Sequence, residues 1–112
     1  MCSSDLLLLP AGAETTYRSS SNLMFGLLSN PDQLDALRAN RDLMPQAIEE
    51  GLRWEPPLTS IGRTAMRDIE VEGVTIPAGS PVQVCMGGAN RDPSRWDNPD
   101  QFDLFQIGRA HV

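Results

Sequence analysis

The sequence predicts a mixed α and β fold, mainly α: three helices, a small and mostly antiparallel sheet, and an irregular C-terminal tail. Three observations carry this expectation. Apolar residues recur at helical spacing through the first half of the chain. After Pro56-Pro57 the spacing changes to short alternating runs bounded by turn residues. From Ser94 onward the chain is polar and aperiodic, with Trp96 and Phe102 as apolar anchors.

Residues 5 to about 29 read as the first helix. Leu7, Leu8, Ala11, Thr15, Leu23, Leu27 and Leu28 supply its apolar stripe. Pro10 falls inside it, removes one backbone hydrogen bond and favours a kink. Ser29-Asn30-Pro31-Asp32 stops this helix and starts the next. Asn30 suits an N-cap and Pro31 suits the first helical position. The second helix runs to about Ala39, with Leu34 and Leu37 facing inward. Asp42-Leu43-Met44-Pro45 opens the third, Ile48 and Leu52 share its buried face, and Trp54-Glu55-Pro56-Pro57 ends it. Residues 59–66 read as a strand. Residues 69–76 alternate as a tight hairpin with Gly73 near its turn. Pro77-Ala78-Gly79-Ser80 is a further turn, and residues 81–86 form a strand with Val82 and Val84 on one face. Residues 87–93 make a bend that can hold one helical turn.

At 112 residues the chain has room for one small domain with a modest core. A formal charge of -6 without basic clusters speaks against nucleic acid as a partner. The apolar run at residues 6–9 is far short of the ~20 residues of a membrane span. No Lys or Arg precedes it, so it makes a poor secretory signal. The expectation is a soluble, cytoplasmic chain without a membrane partner. Cys2 and Cys85 have neither metal spacing nor a disulfide framework, so no metal ligands are assigned. His111 is the only histidine, which speaks against His-based catalysis.

The two termini share an unusual relation. Met1-Cys2-Ser3-Ser4-Asp5-Leu6 can be encoded by GTG TGC TCT TCC GAT CT, with GTG as the start codon. The reverse complement of that string ends one codon and then encodes Ile107-Gly108-Arg109-Ala110-His111. One synthetic adapter ligated to both sides of a DNA insert has this property. Residues 1–6 and 107–112 are therefore expected to be adapter translation, with Gln106 a hybrid codon and residues 7–106 the domain proper. Cys2 and His111 then carry no function.

Two short runs could carry chemistry. In Glu50-Gly51-Leu52-Arg53 the acid and the guanidinium share a helix face. By itself this is an ordinary surface ion pair worth little, and Glu49 would serve Arg53 equally well. In Ala11-Gly12-Ala13-Glu14-Thr15-Thr16 small residues would let a flat group approach the helix backbone. The plain reading there is Glu14 pairing with Arg18 and Thr15 bonding its own helix.

Both runs in this order, with the Pro-Pro stop and the strand-rich segment beyond it, resemble the cytochrome P450 family of thiolate-haem monooxygenases. The resemblance spans about residues 7–105 and implies part of a soluble, bacterial-type enzyme: a partial cytochrome P450 fold, from the oxygen-activating helix to just before the haem-cysteine loop. It implies haem b as cofactor, a small organic and apolar substrate, and a ferredoxin-type electron donor. By resemblance, Ala11 and Gly12 lie against the distal haem face. Thr15 and its acid neighbour Glu14 help deliver protons as dioxygen is cleaved. Glu50 and Arg53 form a buried structural pair on the proximal side. Arg63, in Ser60-Ile61-Gly62-Arg63-Thr64, pairs with a haem propionate, a match of guanidinium fork to carboxylate. Leu58, Thr59, Ser60 and Ile61 line the substrate pocket.

The chain departs from the family pattern in two ways. An arginine is expected three residues past Asp103, where Gln106 stands; an arginine codon cut after its first C and joined to AG reads as glutamine. The Gly-rich loop bearing the haem cysteine is absent, and Cys85 lacks its flanks. The fragment alone is therefore expected to be inactive. The competing reading is a small non-enzymatic α+β interaction domain whose polar residues are surface groups and caps.

Overall fold

The computed structural model describes residues 3–107, with side chains from residue 11 onward. Cys2, His111 and the outer parts of both expected adapter stretches lie outside the described residues, as do the side chains of Leu7 and Leu8. Helix α1 spans Ser3–Ser29 and continues through Pro10 as a single element. Helix α2 spans Pro31–Ala39, a 3₁₀ turn follows at Arg41–Leu43, and α3 spans Met44–Trp54. Four short strands come next: β1 Ile61–Thr64, β2 Ile69–Val71, β3 Val74–Ile76 and β4 Pro81–Val84. One helical turn, α4 at Met86–Ala89, leads into the irregular tail. No helix among the described residues is long and apolar enough to cross a membrane.

The local signals explain most boundaries. Pro31 occupies the first turn of α2, as its fixed φ favours. Asn30 does not cap that helix with its side chain: its Nδ2 donates back to the Gly26 carbonyl at 2.8 Å, closing the end of α1 instead. The side chain of Asn40 takes the capping role at the next junction, accepting from the Asp42 amide at 3.1 Å.

The strands divide into two antiparallel ribbons, β1 with β4 and β2 with β3. Ile61 faces Val84 and Thr64 faces Pro81, so the β2–β3 hairpin is nested inside the outer ribbon. The hairpin turn falls on Glu72 and Gly73, both at positive φ, the combination a two-residue turn requires.

The core joins elements distant in sequence. Leu27 of α1, Leu37 of α2, Ala47 of α3 and the tail residues Phe102 and Leu104 form one buried cluster. Leu23, Leu34, Leu43 and Trp54 pack against it. Trp54 stacks on Phe25 at 6.2 Å and meets Phe102 edge-on at 5.7 Å. The aperiodic tail is thus part of the core. Gln33 holds it there as a strand neighbour would, donating to the Phe102 carbonyl and accepting from the Leu104 amide.

Gly26 sits where the tail crosses α1. A Cβ added there would lie 2.7 Å from Phe102 Cδ2 and 3.0 Å from Cε2. The ring is 5% exposed and wedged against Trp54, so it has little room to retreat. Gly26→Ala gains helix propensity but overpacks this contact, for an expected net loss of about 1–2 kcal/mol. A lower urea midpoint at unchanged slope would register it.

Candidate functional site

The third helix buries Ala47, Glu50, Gly51 and Arg53. Ile48 and Leu52 do not share that buried face: Ile48 is 45% exposed and Leu52 half-buried. The reason is the set of acceptors around Arg53. Its Nε and one Nη bond the two oxygens of Glu50 at 2.7 and 2.8 Å. The remaining donors reach the carbonyls of Asn90, Pro99 and Gln101 at 2.8–2.9 Å. All five N–H groups of the guanidinium are therefore satisfied. Glu50 is fully buried and also accepts from the Asp103 amide at 2.8 Å. Glu49 remains exposed. The indole of Trp96 lies 5.4 Å from the Arg53 guanidinium carbon and adds a cation–π contact.

The sequence marked Trp54 as the end of α3 and residues 87–93 as a bend, but not the partners through which they complete this arrangement. The indole of Trp54 donates to the Asp100 carbonyl at 2.9 Å, between the two carbonyls taken by Arg53. Asn90 donates to the Leu52 carbonyl, and Arg91 to the Trp54 carbonyl and to Glu55 and Asp100. The run Asn90-Arg91-Asp92-Pro93 was the available signal, but its partners lie some 37 residues upstream. Just after it, the Ser94 hydroxyl and amide bond Asp92 and hold its carboxyl below its ordinary value. That turn is fully stabilised above about pH 4 and loses the contribution as pH falls through the lowered pKa.

On α1 the plain local contacts form. Glu14 pairs with Arg18 at 2.9 Å with both side chains largely exposed, and Thr15 donates to the Ala11 carbonyl at 2.7 Å. Ser19 repeats the pattern one turn on, donating to the Thr15 carbonyl. Thr15 borders an open hollow of about 460 Å³ whose far wall is Met44, Ile48 and Leu52. The apolar stripe of α3 thus faces α1 across a gap. Ala11 and Gly12 are exposed, and a Cβ on Gly12 would meet nothing within 4 Å. That face of α1 can accept a flat apolar group against its backbone.

Leu58, Thr59 and Ser60 line a second hollow together with Arg18 and Asn22. Ile61 does not line it. Arg63 stands on β1 opposite Val82, exposed, bonded to the Gly62 carbonyl and without an ion pair among the described residues. Its guanidinium is open to a carboxylate, yet it lines neither the hollow that Thr15 borders nor the one beside Thr59. Gln106 is buried and donates to the Asp97 carbonyl. Cys85 is an exposed free thiol beyond β4. Among the described residues no group of three or more His, Cys, Asp or Glu could hold a metal ion.

The cytochrome P450 family profile matches residues 4–106. The chain is 46% identical over 106 residues to a protein described as putative cytochrome P450 126 of Mycobacterium tuberculosis, covering 95% of this chain and 26% of that one. It is also 46% identical over 107 residues to the biotin biosynthesis cytochrome P450 of Bacillus subtilis, covering 96% and 27%. Among solved structures, P450BioI in complex with a hexadec-9Z-enoic acid-ligated acyl carrier protein superposes with a TM-score of 0.81 at 48% identity, over 89% of this chain and 26% of that one. The ligand-free P450 monooxygenase TamI superposes at 0.82 and 40% identity, over 96% and 26%. The chain belongs to the cytochrome P450 family, and its fold is a partial one of that type. It spans about a quarter of the length of the curated relatives it matches.

Proposed function

We propose that this chain is part of a soluble, cytoplasmic, bacterial-type haem-thiolate monooxygenase. That enzyme inserts one oxygen atom from dioxygen into a small, apolar organic substrate, with electrons from a ferredoxin-type donor. The observation that carries the reading is the fully satisfied, buried Glu50–Arg53 pair in a chain 46% identical over 106 residues to a bacterial member of the family. A buried charge pair of this kind persists only where its surroundings are built around it.

Haem b, held by a cysteine from outside this chain, would supply the oxygen activation and the redox chemistry when bound. The residues of this chain fit one side of such a group. Ala11 and Gly12 leave an open backbone face for the macrocycle. The Thr15 hydroxyl, now donating to the Ala11 carbonyl, can rotate to donate a proton on the distal side. Glu14, once its exposed pair with Arg18 opens, would take a proton from solvent water and pass it on to that hydroxyl. Arg63 offers an exposed guanidinium for a propionate. Leu58, Thr59 and Ser60, which line the second hollow, would contact the substrate, and Ile61 follows them at the start of β1. The 112-residue chain, without a haem cysteine, is inactive by itself. Its first six and last six residues are adapter translation.

Long-read sequencing of the source DNA across both ends of the reading frame tests this. The expected result is a frame that continues past Phe105 with arginine and then a Gly-rich loop bearing a cysteine. Genuine ends followed by a stop codon after Val112 would overturn it and leave a binding or structural module.

A further inference from the structure

Helix α3 ends with carbonyls that have no partner inside the helix. Its own chain satisfies one of them, through the Glu55 amide on Gly51. Two others, those of Leu52 and Trp54, are capped from 37 or more residues away in sequence. Asn90 Nδ2 donates to the Leu52 carbonyl at 3.3 Å, and Arg91 Nη2 to the Trp54 carbonyl at 3.0 Å. In return, side chains of α3 donate to the backbone of the tail: Arg53 to Asn90, Pro99 and Gln101, Trp54 to Asp100. Each segment thus supplies the donors for the other's carbonyls.

Arg91 is the member that joins all the parts. The same guanidinium bonds Glu55, just past the end of α3, at 2.9 Å, and the Asp100 carboxylate of the tail at 3.0 Å. A cation at a helix C-terminus is favoured by the partial negative charge there. Arg53 and Trp54 hold the tail along one short strip of backbone at residues 99–101. Arg91 adds a side-chain anchor at Asp100 and ties α4 to the same helix end. The chain runs on from there through Leu104, fully buried, to Gln106.

The geometry points to Arg91 as a positioning residue: it closes a reciprocal clasp between the end of α3 and the tail, and so sets the heading of the chain beyond residue 106. This rests on the reading above, in which that chain carries the haem thiolate. The Glu55 and Asp100 carboxylates are substantially exposed, so each ion pair alone is worth little. The effect comes from one planar fork reaching a carbonyl and two carboxylates together, which the single ammonium of lysine cannot match.

The test is made on the full-length haem protein with Arg91→Ala, Arg91→Lys, Glu55→Gln and Asp100→Asn, and with Leu37→Ala as a control for plain destabilisation. Amide exchange is followed in the tail, residues 97–106, and in α2. The thiolate-type spectrum of the reduced carbon monoxide complex is recorded alongside. Arg91→Ala is expected to speed tail exchange about tenfold with α2 unchanged, and to lower the thiolate-type fraction below that of Leu37→Ala. Arg91→Lys is expected to restore only part of both, and the two single-carboxylate variants to fall between. Tail and α2 exchange rising together, as in Leu37→Ala, or a thiolate-type fraction that merely follows overall stability, would overturn the inference. Should Arg91→Ala fail to fold, the two carboxylate variants decide by the same comparison. A full-length protein that binds no haem would instead sink the monooxygenase reading, and tail exchange alone would still judge the clasp.

Discussion

Replacing Glu50 by alanine is expected to cost about 3–5 kcal/mol, a large part of the stability of a small domain. The variant would strand the Arg53 guanidinium, which is 3% exposed and whose ion pair among the described residues is with Glu50. It would also remove the acceptor of the Asp103 amide and so loosen the tail. Glu50→Gln keeps one acceptor and the side-chain volume, and its cost should be smaller, about 1–3 kcal/mol. Removing both charges together, Glu50→Leu with Arg53→Met, should recover much of the loss, because neither partner is then left buried alone. Urea unfolding of the three variants separates these outcomes. A Glu50→Ala change of under about 1 kcal/mol would show that the pair behaves as a surface pair and carries no structural weight.

The second large effect is expected at Phe102. Phe102→Ala should cost about 3–5 kcal/mol, since the ring is buried among Gly26, Trp54 and the α1–α2 core. Its loss opens a void against the backbone of Gly26. The two positions should therefore couple. Gly26→Ala, destabilising in the native chain, should be neutral or mildly stabilising in the Phe102→Ala background, where only its helix propensity remains. A double-mutant cycle measures this directly. Strict additivity of the two changes would mean that the ring and the helix do not pack as described.

Periodicity made the elements legible, because helix and strand spacing are local properties. The three helices, the nested hairpin around Gly73 and the proline-marked starts follow from neighbours in sequence. Where a residue had two local options, local reasoning chose less well. Asn30 bonds backward to Gly26 instead of capping α2, and Asn40 caps the next turn. Ile48 and Leu52 look like the buried face of α3, but the helix is rotated so that Glu50 and Arg53 point inward. No apolar pattern can announce that rotation, since it depends on acceptors from residues 90–103.

The candidate site divides in the same way. Glu50 with Arg53, and the small-residue stretch before Thr15, were visible as motifs in the sequence. The contacts of Asn90, Arg91 and Trp54 were not, because each acts on the carbonyl of a residue some 37 to 46 positions away. The tail read as polar, irregular chain anchored by Trp96 and Phe102; Phe102 does enter the core, and Leu104, which the sequence did not mark, joins it there.

The sequence by itself determined which stretches are helical, where they stop, and which family the motifs resemble; these depend on spacing and on local hydrogen-bond options. Only the tertiary structure decided which acceptors surround the buried acid–arginine pair, which face of α3 turns inward, and how the polar tail completes the core. Those outcomes turn on where distant carbonyls and rings fall in space, and a charged pair enters a core only when every donor finds its acceptor there.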